Sequence, residues 1–371
     1  MPSFQPPDSA RRAVGTGSYA RPGMCRLLRL RRDGLPRRWL VVVAVCVLAA
    51  LTWGAQAYVW ATDSPASVPS GLTFVRTGPY LTRFQTWGAP SPHPLILVHG
   101  AFESVTMWGP VAKLLAPTHH VEAYDLEGYG YTQRVGPYTT ESLATQLAAF
   151  LAVRHLDHPV LVGHSLGAGI IARFVLDHPG VAAGVVFLDG DGLSVRIPGT
   201  WVPEALPEPF RTALFRGVAR SDALVSTIFG LACGPGCPTL TPGQIAAVRR
   251  PFEVADAEQA LLALTGRPVV GVTASELGRI RSPGLPALVV FGAQDPEYSS
   301  DAPARTAARI GAPTPTLIAN CGHLSLWSHP TQVAAALVGF AARLAPGTGS
   351  VGLAPVPVQV DQGSSVSASM E

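Results

Sequence analysis

No group of cysteines and histidines along the chain has the spacing of a zinc site, so a metal of that kind is not expected. Internal repeats are missing too, which argues against a solenoid or a propeller. Charge is sparse. Asp, Glu, Lys and Arg make up 14% of the 371 residues, and the net value of +3 misleads because of where the charges fall. Residues 1–38 hold nine arginines against Asp8 and Asp33, leaving 18 basic and 22 acidic groups in the remainder, a balance of −4. A mildly acidic body behind a basic arm offers no footprint for nucleic acid. Cysteine is limited to five positions: Cys25 in the arm, Cys46 in an apolar segment, Cys321 alone, and Cys233 and Cys237 around Gly234-Pro235-Gly236. That turn-forming spacer either lets the last two sulfurs meet in an oxidising compartment or leaves two free thiols.

Apolar residues, by contrast, make up 47% of the chain, enough for one large domain with an insertion or for two smaller domains. Trp39 to Ala61 is nearly continuous apolar sequence without a charge, about long enough at ~1.5 Å per residue to cross a ~30 Å hydrocarbon layer. Arg26, Arg29, Arg31, Arg32, Arg37 and Arg38 precede it, and the positive-inside rule then keeps the N-terminus cytoplasmic and sends the remainder across. The competing reading is a cleaved export signal: Leu40 to Leu51 is a short apolar run, Ala55-Gln56-Ala57 has the form of a cleavage site, and Arg37-Arg38 resembles a twin-arginine signal. Either way the rest of the chain is expected outside the cytoplasm, as a single-pass membrane protein or as a secreted one.

The composition divides the chain into a basic, disordered cytoplasmic arm (1–38), the anchor or export signal (39–61), a linker (62–70) and a flexible Gly/Pro/Ser/Val tail (346–371). Between them, short apolar runs alternate with helical patterns. Leu72 to Arg76 and Leu81 to Trp87 read as a hairpin, followed by strands at Leu95 to Val98, Val121 to Tyr124, Val160 to Val162, Val185 to Leu188, Leu288 to Phe291 and Thr316 to Ala319. Helices are expected near Val105 to Leu115, Thr140 to Arg154, Leu166 to Asp177, Ala302 to Arg309 and Thr331 to Leu344. This alternation predicts an α/β fold with a mostly parallel sheet covered on both faces. Residues 192–283 break the rhythm with helical pattern but no strand, and read as a mainly helical cap inserted after the sixth strand of a core formed by 71–191 and 284–345. Phe210, Leu214, Phe215, Leu224, Ile228, Phe229 and Leu231 in the cap either line an apolar cleft or form the cap's own core.

Gly163-His164-Ser165-Leu166-Gly167 follows an apolar strand and opens a helical pattern, the context of a nucleophile elbow. On so tight a turn, side chains at 163 and 167 would collide. The sequence here resembles the α/β-hydrolase family, from about residue 71 to 345 apart from the cap. His99-Gly100-Ala101-Phe102 after the third strand resembles the family's oxyanion loop, and Asp125-Leu126-Glu127-Gly128-Tyr129-Gly130 its loop after the fourth. The resemblance implies an eight-stranded, mostly parallel sheet and a catalytic triad in the order nucleophile, acid, histidine. Asp295, after the strand ending in Phe291, and His323, after the strand at Thr316 to Ala319, complete that order with Ser165. Asp189 and Asp191 are the alternative acids, since some family members place theirs after the sixth strand.

A serine hydroxyl needs a base, and His323 is expected to take its proton while Asp295 fixes the ring. The resemblance points to the backbone N–H groups of Leu166 and Ala101 as oxyanion donors, with Phe102 as a substitute; Phe102 and Leu324 are also expected to contact substrate. His99 and His164 are read as loop braces, and Glu103 as a solvated or hydrogen-bonded group. Serine at 165 disfavours the dehalogenase and epoxide hydrolase branches, which carry aspartate there. The expected function is hydrolysis of a hydrophobic small-molecule carboxylic ester without cofactor or metal. A carbon–carbon bond hydrolase, lactonase or perhydrolase using the same residues, or a non-catalytic membrane-tethered binding protein, are the alternatives.

Overall fold

The computed structural model describes residues 36–194, 205–264, 268, 270–281 and 284–344. The expectations for the arm (to residue 35), for the tail from 346 and for the rest of the cap lie outside the described residues. By compactness the chain divides after Leu51. Helix α1 (Arg37–Ala61) has no buried residue and is long and apolar enough, by length and composition, to cross a membrane.

The second unit is built on one eight-stranded sheet in the order β1-β2-β4-β3-β5-β6-β7-β8. Its strands are β1 (Thr73–Thr77), β2 (Tyr80–Trp87), β3 (Leu95–Val98), β4 (Val121–Tyr124), β5 (Val160–His164), β6 (Gly184–Leu188), β7 (Ala287–Gly292) and β8 (Thr316–Ile318). The opening hairpin pairs antiparallel, as does β2 with β4, and every other pairing is parallel. Parallel strands covered on both faces should be apolar at every position, and β3, β5, β6 and β7 are buried from end to end.

Alternation along each strand sends neighbours to opposite layers. Ile96, Val98, Leu161, Phe187 and Phe291 join one core cluster with residues of α3 (Thr140–Arg154) and α4 (Leu166–Asp177). Leu95, Leu97, Val162, Leu188 and Val290 join the other, which takes in α2 (Gly109–Leu115) and the C-terminal helix (Pro330–Ala341). Helix α3 starts where a capping box makes it start: the Thr139 hydroxyl accepts from Ser142 N–H and the Ser142 hydroxyl sits 2.8 Å from Thr139 N–H.

Between β6 and β7 the described residues hold α5 (Phe210–Ala219), α6 (Asp222–Cys233), α7 (Pro242–Arg249), α8 (Ala257–Leu264) and α9 (Ala274–Arg279). Beyond β7 come α10 (Ala302–Ile310), α11 (Ser325–Ser328) and α12 (Pro330–Ala341). The cap's large apolar residues divide between burial and exposure. Phe229 is buried edge-on against Trp327, whereas Leu214, Leu224, Ile228 and Leu231 are exposed. A disulfide joins Cys233 to Cys237 at the end of α6, while Cys46 and Cys321 are free thiols.

Residues 62–67, read from the sequence as part of a linker, are held against the cap. Arg216 donates to the Val59 carbonyl (2.8 Å) and pairs with Asp63 (3.2 Å), Arg220 donates to the Thr62 carbonyl (2.6 Å), and Ala66 N–H donates to the Glu253 carbonyl (2.8 Å).

Candidate active site

Three loops at the carboxyl ends of parallel strands converge on one point. Ser165 stands between β5 and α4 with φ 50° and ψ −117°, a left-handed conformation that costs a non-glycine residue roughly 1–3 kcal/mol. Its N–H donates to the Leu188 carbonyl on the next strand (3.0 Å), which holds the turn. The flanking glycines leave no room for alternatives: a Cβ at 163 would stand 2.5 Å from the backbone of Gly167, and one at 167 would stand 2.3 Å from the Val98 carbonyl oxygen.

Ser165 Oγ lies 3.0 Å from His323 Nε2, and His323 Nδ1 lies 2.8 Å from Asp295 Oδ2. With Asp295 accepting from Nδ1–H, the remaining ring nitrogen is free to accept the serine hydroxyl. His323 is buried, and burial alone lowers its pKa. The hydrogen bond donated to Asp295 and the charges of Asp295 and Glu297 outweigh burial and the repulsion of His164, leaving it raised above 6.5. Tyr298 stacks on the imidazole at 5.9 Å between ring centres.

The alternative acids do not reach this histidine through a hydrogen bond. Asp189 is fully buried and accepts from Gly292 N–H (2.7 Å), Ser325 N–H (3.2 Å) and the Ser325 hydroxyl, fastening the loops after β7 and β8 to the end of β6. Its burial lifts its pKa to about 6 against those donors and the charges of His164 and His323. Asp191 accepts from Leu193 N–H (3.0 Å).

The loop after β3 packs directly on the serine, for a Cβ at Gly100 would stand 3.0 Å from Ser165 Cβ. Two side chains set its course. His99 is buried, and burial lowers its pKa; its Nδ1 donates to the Gly100 carbonyl (2.7 Å), leaving Nε2 to accept Leu126 N–H (2.9 Å). Glu103, nearly buried, accepts Gly100 N–H at 2.9 Å and faces His164 Nδ1 at 2.9 Å. Asp125 anchors the far end of the loop by accepting Val105 N–H (2.7 Å). Leu166 N–H, at the first position of α4, has no intrahelical partner available. The Ala101 N–H follows Gly100 in the loop against Ser165. Phe102 has φ 60°, is 55% exposed and meets Tyr129 edge-on. Leu324, expected to contact substrate, is 5% exposed and belongs to the core cluster with Phe229 and Trp327.

Residues 95–336 match the Alpha/beta hydrolase family, and the strand order and elbow agree with that match. The chain belongs to the alpha/beta hydrolase family. Among relatives, Lipase LipV of Mycobacterium tuberculosis is 28% identical over 266 residues, covering 68% of this chain and 95% of that protein. An esterase from Thermogutta terrifontis superposes with a TM-score of 0.57 at 21% identity, covering 74% of this alpha/beta hydrolase and 98% of the esterase. A serine hydrolase involved in carbazole degradation gives 0.59 at 22% identity, covering 73% and 98%. At those identities the two structures speak for the fold.

Sequence reasoning passed over two groups that the alpha/beta hydrolase fold brings to the site, Glu297 and Tyr298. Glu297 Oε2 lies 3.4 Å from His323 Nε2, and its N–H donates to Asp295 Oδ1 (2.8 Å). The available signal was position alone, two and three residues past the candidate acid. Cavities of about 210 Å³, between residues 62–65 and the cap, and about 380 Å³, beside His178 and Arg279, are lined by none of Ser165, Asp295 and His323.

Proposed function

We propose that the chain is a serine hydrolase that cleaves a carboxylic ester with a hydrophobic acyl or alcohol group through an acyl-enzyme. The observation that carries this reading is the unbroken chain of hydrogen bonds from Ser165 Oγ through His323 to Asp295. Ser165 attacks the carbonyl carbon and its proton passes to His323 Nε2. Asp295 stabilises the imidazolium. The tetrahedral oxyanion is received by the N–H groups of Leu166 and Ala101. As the C–O bond breaks, the leaving alkoxide takes the proton from His323 and departs as the alcohol. Water then attacks the acyl-enzyme by the same route in reverse, with His323 as base. Phe102, exposed on the loop, is the residue we assign to substrate contact.

The anchor reading belongs to the same proposal. A 25-residue apolar helix and a disulfide, which persists in oxidising compartments, support a catalytic domain held outside the cytoplasm by α1. The decisive experiment is stopped-flow release of p-nitrophenol from short-chain esters together with fluorophosphonate labelling. A burst and labelling in the wild type, both absent from Ser165→Ala, are expected. Equal turnover by the two proteins would falsify the assignment.

A further inference from the structure

One carboxylate at the site has no part in the chemistry above. Glu297 is the half-exposed member of a group of acids whose other members are all nearly or fully buried: Asp295 on His323 Nδ1, Glu103 on His164, and Asp189 beneath the loop of Ser325. Among the described residues the only basic side chain within 4 Å of it is His323, which pairs with it as an ion only when Nε2 carries a proton, and no arginine or lysine is in salt-bridge reach. The surrounding charges are accounted for: Arg305 pairs with Asp301, and His164 is enclosed by Glu103 and Asp189. The backbone that carries it is held, because its N–H is bound to Asp295 Oδ1 and the next residue, Tyr298, meets both Phe291 and the His323 ring.

The atom it faces decides what it does. His323 Nε2 is 3.0 Å from Ser165 Oγ and 3.4 Å from Glu297 Oε2. To receive the proton from that nitrogen, the leaving oxygen of an ester must come within roughly 2.6–3.2 Å of it. The alcohol portion of the substrate therefore passes beside Glu297, while the acyl portion is held on Ser165.

Resting on the esterase reading, we propose that Glu297 is a specificity-determining residue that selects the charge of the alcohol group: it admits neutral and cationic alcohols and rejects anionic ones. Two unit charges at about 7 Å in a half-screened setting change the barrier enough to matter, on the order of fivefold to tenfold in rate. Partial exposure makes the effect sensitive to salt.

Three butyrate esters that share one acyl group test this: choline, its neutral isostere 3,3-dimethylbutanol, and 3-sulfopropanol. All give the same butyryl-enzyme, so kcat/KM reports acylation, the step in which the alcohol is still present. For the wild type the order of kcat/KM is cationic above neutral above anionic, with each gap narrowing as ionic strength rises from 20 mM to 0.5 M. In Glu297→Gln the anionic-to-neutral ratio is expected to rise about fivefold to tenfold and the cationic-to-neutral ratio to fall. Glu297→Asp keeps the wild-type order and Glu297→Lys inverts it. A purely structural role would lower all three rates together, leave the ratios and salt dependence untouched, and so overturn the proposal. If the wild type is labelled by fluorophosphonate but ignores the neutral ester, the esterase reading fails and the proposal with it; unchanged ratios in an active Glu297→Gln enzyme remove the proposal alone.

Discussion

His164 donates from Nε2 to the backbone carbonyl of His323 across 2.9 Å, while its Nδ1 meets the Glu103 carboxylate at 2.9 Å. The carbonyl can only accept, and the Glu103 carboxyl, its pKa held below the usual value by His164 against burial, accepts as well when ionised, an arrangement that favours a ring with two protons. Burial opposes this, but the charge and hydrogen bond of Glu103, with Asp189 behind them, raise its pKa to about 9. Because Glu103 also holds Gly100 N–H, one ion pair ties the loop over Ser165 to the loop that carries His323. The residue before Ser165 thus ties together the loop that carries His323 and the loop at Gly100.

A pH dependence of stability follows from that pair. The folded pKa of His164 is raised above 6.5, so its contribution is fully present below about pH 6.5 and is lost as pH rises through about 9. Urea unfolding of the wild type is expected to lose roughly 1–3 kcal/mol between those limits. His164→Asn, which cannot titrate, should be less stable at pH 6.5 and should remove that loss; Glu103→Gln should flatten it as well. A wild type and a His164→Asn variant with parallel pH profiles would contradict the assignment.

The two buried acids near His323 should separate in their phenotypes. Asp295→Asn leaves the packing nearly intact but presents a donor to Nδ1, forcing the wrong tautomer, and a fall in kcat on the order of 10³–10⁴-fold is expected. Asp189→Asn instead removes acceptor capacity from Gly292 N–H and from Ser325, so unfolding experiments should find a loss of about 1–3 kcal/mol. Its effect on kcat should be far smaller than that of Asp295→Asn. The opposite ranking would make Asp189 the functional acid.

The elbow offers a steric test. Gly167→Ala would push a methyl to 2.3 Å from the Val98 carbonyl oxygen, so β3 and α4 must move apart. Overpacking of this sort costs roughly 1–3 kcal/mol or more, and the displaced loop at Gly100 should weaken fluorophosphonate labelling even where the protein stays folded. An alanine variant with wild-type melting and labelling would show that the close approach is not needed.

The reach of the sequence can be judged from these same residues. Strands β3 to β7 were legible because buried parallel strands leave short apolar runs, and Thr140 to Arg154 and Leu166 to Asp177 were legible because caps and the elbow fix their ends. Ser165, His323 and Asp295 were named from order and context, with Asp189 and Asp191 kept as alternatives because they too follow an apolar strand; the hydrogen bond from His323 Nδ1 to Asp295 is what the sequence could not display. Glu297 left no pattern at all: its position is set by a backbone hydrogen bond to Asp295 and by the stacking of its neighbour, which are tertiary events. The cap was legible as helix but not as surface, because apolar residues such as Ile228 and Phe229 look alike until a partner such as Trp327 buries one of them.

Residues 62–67 looked like a tether because their composition is polar and small, yet they are fastened by side chains more than 140 residues away. Arg216 is the centre of that clasp: it reaches the Val59 carbonyl, the Thr62 hydroxyl at 3.3 Å, Asp63, and Glu258 at 2.6 Å. Charge-assisted bonds of this kind are each worth about 1.5–3 kcal/mol where they are shielded, and less where Asp63 is exposed. Arg216→Ala should therefore release the segment locally without unfolding the sheet, whose core it does not touch. The amide of Ala66, donated to Glu253, is the natural reporter: its hydrogen exchange should speed up about tenfold, or ~1.4 kcal/mol, while amides of β5 and β6 keep wild-type protection. Arg250→Ala, whose bond to the Ser67 carbonyl is 3.4 Å long, should change little. If Ala66 exchanges at the wild-type rate in Arg216→Ala, the segment is held by its backbone bridge to Val254 rather than by the arginine.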